Sequence, residues 1–394
     1  MSAPSPAPAY DLAALRAAEF PWTARGEACY LNNASTGPMP ARTVRALAEF
    51  NALRAEPWRI AQEYQFGVLD RSRELCARLV GAAPGEIALM VNTSYGLNLA
   101  ARALGLRSGD VVLTFDREFP ANIYPWMALA PAGVELRRIP CIGGLPDEEA
   151  LHAALDQPGV RVVTVSWVSF ATGYAVDLAR LGAACRARGI RFVVDAIQGV
   201  GARELDVKAC GIDILACGAQ KWLLSPWGSG FVYVRDGLVQ ELEPQAVGWM
   251  APRGTDDFSR LTDYDLTWRD DARRFEVITL PFQDFAGMNA SLGLVHELGP
   301  ASVAAHVAGL AARIVDWADA TPGMRLVTPR DPARRAGIVA IAPPDAAAAS
   351  ARLAAAGVAH SQREGAIRLS PHFYNTCDEV DGALEALAGV RKNI

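Results

Sequence analysis

From about residue 85 the chain alternates short apolar, β-rich runs with segments of helical period, and this restricts the fold more than any other feature. The runs are EIALMV, DVVLTF, VELRRI, VRVVTV, IRFVV, IDILAC and GFVYV; helix candidates LNLAARALG, DEEALHAAL and LARLGAACRARG lie between several of them. Repeated units of this kind imply a mainly parallel α/β sheet with helices on both faces. After about residue 285 the pattern changes. A helical MNASLGLVHELG leads through Gly299-Pro300 into the alanine-rich ASVAAHVAGLAARIVDWADA, and the short strands GIVAIA and AIRLS follow. The expected organisation is a large ligand-binding domain over 21–284 and a smaller α+β domain over 285–394. Residues 1–20 form an N-terminal segment whose start, MSAPSPAPAY, reads as a flexible tail. Residues 40–82 carry two amphipathic helices, with Val68, Leu69, Leu75, Cys76, Leu79 and Val80 on one apolar face.

Composition removes several function classes. The 394 residues suffice for a large core, and the net charge of −5, with no Lys/Arg-rich run, leaves no footprint for nucleic acid. No apolar run approaches the roughly 18 residues of a membrane span. The seven cysteines are scattered without CxxC pairs, which speaks against a disulfide framework or a metal site and for a reducing compartment. The start lacks the basic and apolar regions of a signal peptide. A soluble, cytoplasmic protein is the expectation.

Ligands of open α/β sheets bind beyond the carboxyl ends of the strands, so the loops there carry the functional signal. In MVNTSYGLNLAARALG a strand ends at Val91 and a helix follows. Thr93 or Ser94 can cap that helix, whose free N–H groups suit a phosphate, although a simple cap explains the same residues. In RFVVDAIQGVG, Asp195 ends an apolar strand, where a carboxylate needs a cation or N–H partner, and Gln198 lies three residues on. Gly199 and Gly201 give GxG, but no third glycine follows and the acidic residue precedes them. A nicotinamide dehydrogenase is therefore disfavoured, and no phosphate-binding P-loop is present.

The third stretch, GAQKWLLSPWGSG, sets Lys221 among Trp222, Leu223, Leu224 and Trp227. Burying an ammonium is costly, and an apolar setting depresses a lysine pKa and makes the amine nucleophilic, as Schiff-base chemistry requires. A lysine for the aldehyde, a carboxylate for the pyridine nitrogen and a phosphate cup are together what pyridoxal phosphate needs.

With these motifs the chain resembles class V of the fold-type I pyridoxal-phosphate enzymes, the group of cysteine desulfurases, selenocysteine lyase, kynureninase and isopenicillin N epimerase. The resemblance runs from YLNNASTGPMP (Tyr30 to Pro40) to IRLSPHFYNTCDEVD (Ile367 to Asp381) and is sharpest at VVDAIQ and GAQKW. It implies that Lys221 forms the Schiff base and Asp195 keeps the pyridine nitrogen protonated. It implies that Gln198 bonds the ring hydroxyl oxygen, that Thr93, Ser94 and Gln220 hold the phosphate, and that Phe119 stacks on the ring. Thr279 would reach the phosphate of a neighbouring subunit, making a homodimer. Arg368 would grip the carboxylate of an amino-acid substrate, with Asn33, Ala34 and Phe170 lining the pocket.

The departures narrow the chemistry. Desulfurases stack a histidine where Phe119 stands and carry a cysteine in a loop before the carboxylate arginine. The matching GVAHSQREGAIR has none, and Cys377 lies beyond Arg368. Transamination and β-elimination (a C–S or related lyase) are the expected reactions, with epimerisation an alternative and a silent binding module opposed by intact Lys221, Asp195 and Arg368. His152, His296 and His306 read as packing or surface residues, while His360 and His372 flank Arg368. Arg273 and Arg274 read as surface charges, and 254–274 as a solvated segment near the pocket mouth.

Overall fold

A computed structural model describes residues 8–389. Its strands, numbered along the chain, are β1 (Cys29–Tyr30), β2 (Ile87–Leu89), β3 (Val111–Phe115), β4 (Glu135–Ile139), β5 (Val160–Ser166), β6 (Arg191–Asp195) and β7 (Ile214–Gly218). They continue with β8 (Gly230–Val234), β9 (Arg325–Leu326), β10 (Val339–Ala342), β11 (Val358–Ala359), β12 (Ser361–Arg363) and β13 (Ala366–Leu369).

The seven runs expected as strands of the large domain, β2 to β8, form one sheet in the order β2-β8-β7-β6-β5-β3-β4. Strands β7, β6, β5, β3 and β4 run parallel, and β8 is antiparallel to both its neighbours. Every residue of β3, β7 and β8 is buried, so these strands read as largely apolar runs without polar alternation, Thr114 apart. The edge strand β4 instead carries Glu135, Arg137 and Arg138, charges that discourage further pairing. The helices Thr93–Ala103, Glu148–Ala154 and Leu178–Ala187 are capped by the side chains of Asn92, Asp147 and Asp177. All the loops singled out in the sequence leave the sheet at one edge: those after β2, β3, β5, β6 and β7.

The two amphipathic helices are Ala41–Ala55 and Gln62–Val80, and the expected apolar face of the second is buried. Both pack on the helix Phe282–Leu298. Thr43 and Ser291 hydroxyls lie 2.6 Å apart, the Ser72 hydroxyl donates to Asn289 Oδ1, and Asn289 Nδ2 donates to the Val68 carbonyl. The boundary expected at 284/285 thus falls inside a helix whose packing partners are N-terminal. Beyond it come the helix Pro300–Ala320 and an antiparallel sheet in the order β12-β13-β10-β9.

The chain's start joins this second sheet region: β1 pairs with β11, and Asn32 bridges to Ser370. Residues 1–7 of the expected tail lie outside the described residues, but its last residue is anchored. The Tyr10 hydroxyl donates to the Phe373 carbonyl at 2.8 Å, and a helix capped by Asp11 follows over Leu12–Glu19. Arg16 on that helix bonds the Tyr374 carbonyl and Glu379. Arg274, read as a surface charge, is buried: its guanidinium lies over the rings of Trp268 and Phe275. Among the described residues no single helix is long and apolar enough to cross a membrane.

Candidate active site

Lys221 begins a tight turn three residues past β7. Leu224, in the left-handed region at φ 51°, donates its N–H to the Lys221 carbonyl, and Ser291 Oγ donates to the Leu224 carbonyl. From the N-terminal side Gly37 donates to the Gln220 carbonyl at 2.9 Å. A Cβ on Gly37 would stand 2.1 Å from the Lys221 carbonyl oxygen, so only glycine fits there. From the C-terminal side His372 contacts the Trp222 carbonyl through Nε2 at 2.9 Å. The Phe373 N–H donates to His372 Nδ1, which fixes the proton on Nε2, and burial pushes the imidazole pKa down to about 3. His372 is a neutral clamp on the lysine loop.

The backbone of Lys221 is held from three sides while its amine is not. Among the described residues Nζ has no hydrogen bond or ion pair; it lies 5.6 Å from the centre of the Phe119 ring. Burial pushes its pKa down to about 8, against the opposing pull of Asp195. Asp195, last residue of β6, is buried and, among the described residues, accepts only the Ile197 N–H, at 3.1 Å. Burial pushes this carboxyl up to about 6, against that N–H and the Lys221 charge. Cation and anion share one desolvated site without touching, so each retains capacity for a further partner.

At the start of the helix Thr93–Ala103, Asn92 caps the Tyr95 N–H and leaves the Thr93 and Ser94 N–H groups at the positive end of the helix dipole. Thr93 Oγ1 accepts the Gly218 N–H at 2.8 Å. A Cβ on Gly218 would lie 2.6 Å from Gln220 Oε1 and 3.1 Å from Thr93 Oγ1, so the glycine keeps a small cradle open between them. Ser94 is exposed at the same end.

Opposite lies Arg368 on β13, only 2 % exposed. Its Nη1 donates to the Phe170 carbonyl at 2.7 Å and its Nη2 to the hydroxyls of Ser35 and Ser361, while buried Nε has no acceptor. Among the described residues no carboxylate pairs with it. Burial pushes its pKa down to about 10, so it stays charged at neutral pH and suits an incoming anion. The Phe119 and Phe170 rings meet edge to face, 5.2 Å apart.

Several expected residues are tied into the structure around this group. Asn33 spends both polar atoms on the Ser370 carbonyl and the Tyr374 hydroxyl. Gln198 donates to the Ala34 carbonyl and accepts from the Trp222 indole, with one amide hydrogen left over. Thr279 is exposed, and no bond joins it to the Lys221–Asp195 group of its own chain. His360 turns to Ser350 and the Val358 carbonyl. Sequence reasoning missed Ser35, Ser361, Gly37 and the His372 clamp. Of these, Ser35 was within sight, one residue from Ala34 in the quoted NASTG run.

A half-buried amine without an acceptor, a cation-poor buried carboxylate and an open cradle at a helix start fit pyridoxal phosphate. Lys221 would take its aldehyde, Asp195 its ring nitrogen, and Thr93 with Gln220 its phosphate. The comparisons agree. Residues 29–382 match the family model described as Aminotransferase class-V. Isopenicillin N epimerase of Streptomyces clavuligerus is 32% identical over 378 residues, covering 91% of this chain and 94% of that protein. A probable cysteine desulfurase of Methanothermobacter thermautotrophicus is 30% identical over 388 residues, covering 92% and 95%. A solved structure of C-DES, a lysine-to-alanine variant with glycine covalently linked to its PLP cofactor, aligns with a TM-score of 0.86 at 23% identity, over 95% of this chain and 98% of that one. That likeness establishes the fold. The chain belongs to the class-V aminotransferase family and is a pyridoxal-phosphate-dependent enzyme.

Proposed function

We propose that the enzyme takes the α-proton from an α-amino acid and completes either a transamination or a β-elimination. The observation that carries this is the pairing in one site of two unneutralised cations, half-buried Lys221 and buried Arg368, the first proton-labile and the second charged at neutral pH. Arg368 holds the substrate carboxylate, with the Phe170 carbonyl and the Ser35 and Ser361 hydroxyls fixing the guanidinium plane. Bound at this site, pyridoxal phosphate would supply an electron sink for the α-carbon. Lys221 takes up the α-proton at Nζ and returns it; with a pKa of about 8 the amine is in part unprotonated at neutral pH. Asp195 holds the proton of the cofactor nitrogen, Thr93, Ser94 and Gln220 hold the phosphate, Gln198 offers its spare amide hydrogen to the ring hydroxyl oxygen, and Phe119 shields the ring from water.

Two neighbouring chemistries are less well supported. A persulfide route needs a reactive thiolate, but burial, reinforced by Asp116, pushes Cys141, the cysteine lining the adjoining cleft, up to about 12. Epimerisation needs a proton donor on the face opposite Lys221, where Phe119 has none to give and His360 and His372 are committed elsewhere. The reading includes a cytoplasmic homodimer in which Thr279 serves the neighbouring subunit. The unpaired cysteines and the exposed Val247, Trp249, Leu266 and Val277 are in keeping with it.

An amino-acid panel, with keto acid, ammonia and sulfide measured separately, tests the reaction class. Keto acid without ammonia marks transamination, and keto acid with ammonia marks elimination. Lys221→Ala should lose all turnover and the borohydride-reducible lysine adduct; an adduct persisting in that variant removes Lys221 from the mechanism.

A further inference from the structure

Next to the Phe119–Phe170 pair the molecule opens into a cleft of about 1130 Å3 that runs towards solvent between the edge of the large sheet and the β12–β13 hairpin. It shares Arg117, Glu118, Cys141, Ser169 and Phe170 with the small recess that reaches Phe119, so it is continuous with the site. Five arginines line it: Arg117, Arg137, Arg138, Arg325 and Arg363. Its four acids are largely engaged. Asp116 accepts the Cys141 N–H and Glu135 pairs with Arg137. Glu118 accepts from the Ser166 N–H and hydroxyl, and burial pushes it up to about 7, withdrawing part of its charge. Glu364 faces Arg117 loosely, at 3.8 Å. Arg138, Arg325 and Arg363 have no carboxylate partner among the described residues. A protein of net charge −5 thus concentrates unpaired positive charge at the mouth of its site.

Of these, exposed Arg363 stands on the same hairpin as Arg368. In the hairpin, Ser361 pairs with Arg368 and Arg363 with Ala366. Side chains alternate along a strand, so Ser361, Arg363, Ala366 and Arg368 share one face, and diagonal neighbours such as Arg363 and Arg368 stand about 7–8 Å apart at the backbone. The charge of Arg363 is felt inside: it opposes protonation of both Lys221 and Arg368. At the turn, Glu364 and Gly365 both have positive φ, at 48° and 77°, which suits a two-residue hairpin and keeps Arg363 and Glu364 on a short, stiff support.

We propose that this cleft is a subsite for a second carboxylate, carried on the side chain of an acidic amino-acid substrate. Arg363 receives it from the small-domain side and Arg117 from across the cleft, while Arg368 keeps the α-carboxylate. This rests on the reading of Arg368 given above. A side-chain carboxylate offsets the repulsion among Arg363, Arg368 and Lys221; an amide of the same shape does not. Glu364 is the resident counter-charge of Arg117, which the substrate must displace.

The test compares L-aspartate with L-asparagine and L-glutamate with L-glutamine as substrates of the holoenzyme. The expected result is a kcat/KM preference of at least about tenfold for one acid over its amide, expressed mainly in KM. Arg363→Gln should collapse that ratio and Arg363→Lys should retain most of it. Arg363→Glu should move the preference towards L-lysine, a swap that mere support of the hairpin would not produce. Glu364→Gln should lower KM for the acid. Equal use of acid and amide by the wild type, or an unchanged ratio in Arg363→Gln, overturns the subsite while leaving Arg368 as the anchor. If no amino acid, acidic or neutral, is turned over or shifts the cofactor absorbance, the functional reading falls and the subsite with it.

Discussion

Lys221 carries an electrostatic penalty that the cofactor-free protein must bear. Its pKa is about 8 in the fold against 10.5 in the unfolded chain, so between those values the unfolded state binds the extra proton. The penalty is full below pH 8, fades as pH rises towards 10.5, and is gone above it. At about 1.4 kcal/mol per pKa unit it amounts to roughly 3 kcal/mol at neutral pH. Apo Lys221→Met should therefore melt above the apo wild type at pH 7, with the gap narrowing towards pH 10. Thermal scans across that range check it, and a constant gap would mean that packing, not charge, sets the difference. Asp195 bears the converse burden: its carboxyl, raised to about 6, loses stability as pH climbs from the ordinary aspartate value through 6. Asp195→Asn should lower kcat by ~100-fold or more with the fold intact, read by single-turnover rates alongside circular dichroism. Both residues were legible because charge in apolar surroundings stands out in a sequence. Asn33 was not, because an asparagine reads the same whether it faces a substrate or, as here, ties Ser370 to Tyr374.

At the scale of elements, the inner strands of the large sheet were readable because burial on both faces leaves runs dominated by apolar residues, whereas the edge strand β4 keeps its charges. The loops at their carboxyl ends were readable for the same reason, since polar residues resume abruptly there. The N-terminal contribution was not. Strand β1 is two residues long, and the bonds that place it, Cys29 with Val358 and Asn32 with Ser370, join positions more than 300 residues apart. The anchoring of Tyr10, by its hydroxyl and by its ring against His306, lies in a Pro/Ala-rich stretch that gives no sign of it. The effect of that segment on the lysine loop is nevertheless direct, through Gly37. Gly37→Ala forces its methyl into the Lys221 carbonyl and the Leu224 side chain. The expected cost is about 1–3 kcal/mol of stability, with a fall in kcat larger than in Tm-matched surface variants because the displaced atom belongs to Lys221. Unfolding curves and turnover, measured together, check this; intact turnover would show that the loop yields without moving the amine.

For the whole molecule, the question is how many chains build one site. Mixing inactive Lys221→Ala chains with inactive chains bearing Thr279→Trp should restore activity if Thr279 serves its neighbour, because one site of the mixed dimer then carries neither lesion. Proven subunit exchange without recovery would place the site within one chain. Within each chain, assembly has a direction in time. The phosphate side, Thr93 against Gly218, lies within the large sheet, whose strands are complete by β8. The carboxylate side waits for Arg368, which must travel back to Ser35, and for Ser370, which must find Asn32, loops of more than 330 residues. Contacts so distant in sequence close slowly. A chain whose β13 has not yet docked therefore exposes a half-built cup, its phosphate side formed before its carboxylate side, and the return of Arg368 to Ser35 completes the site.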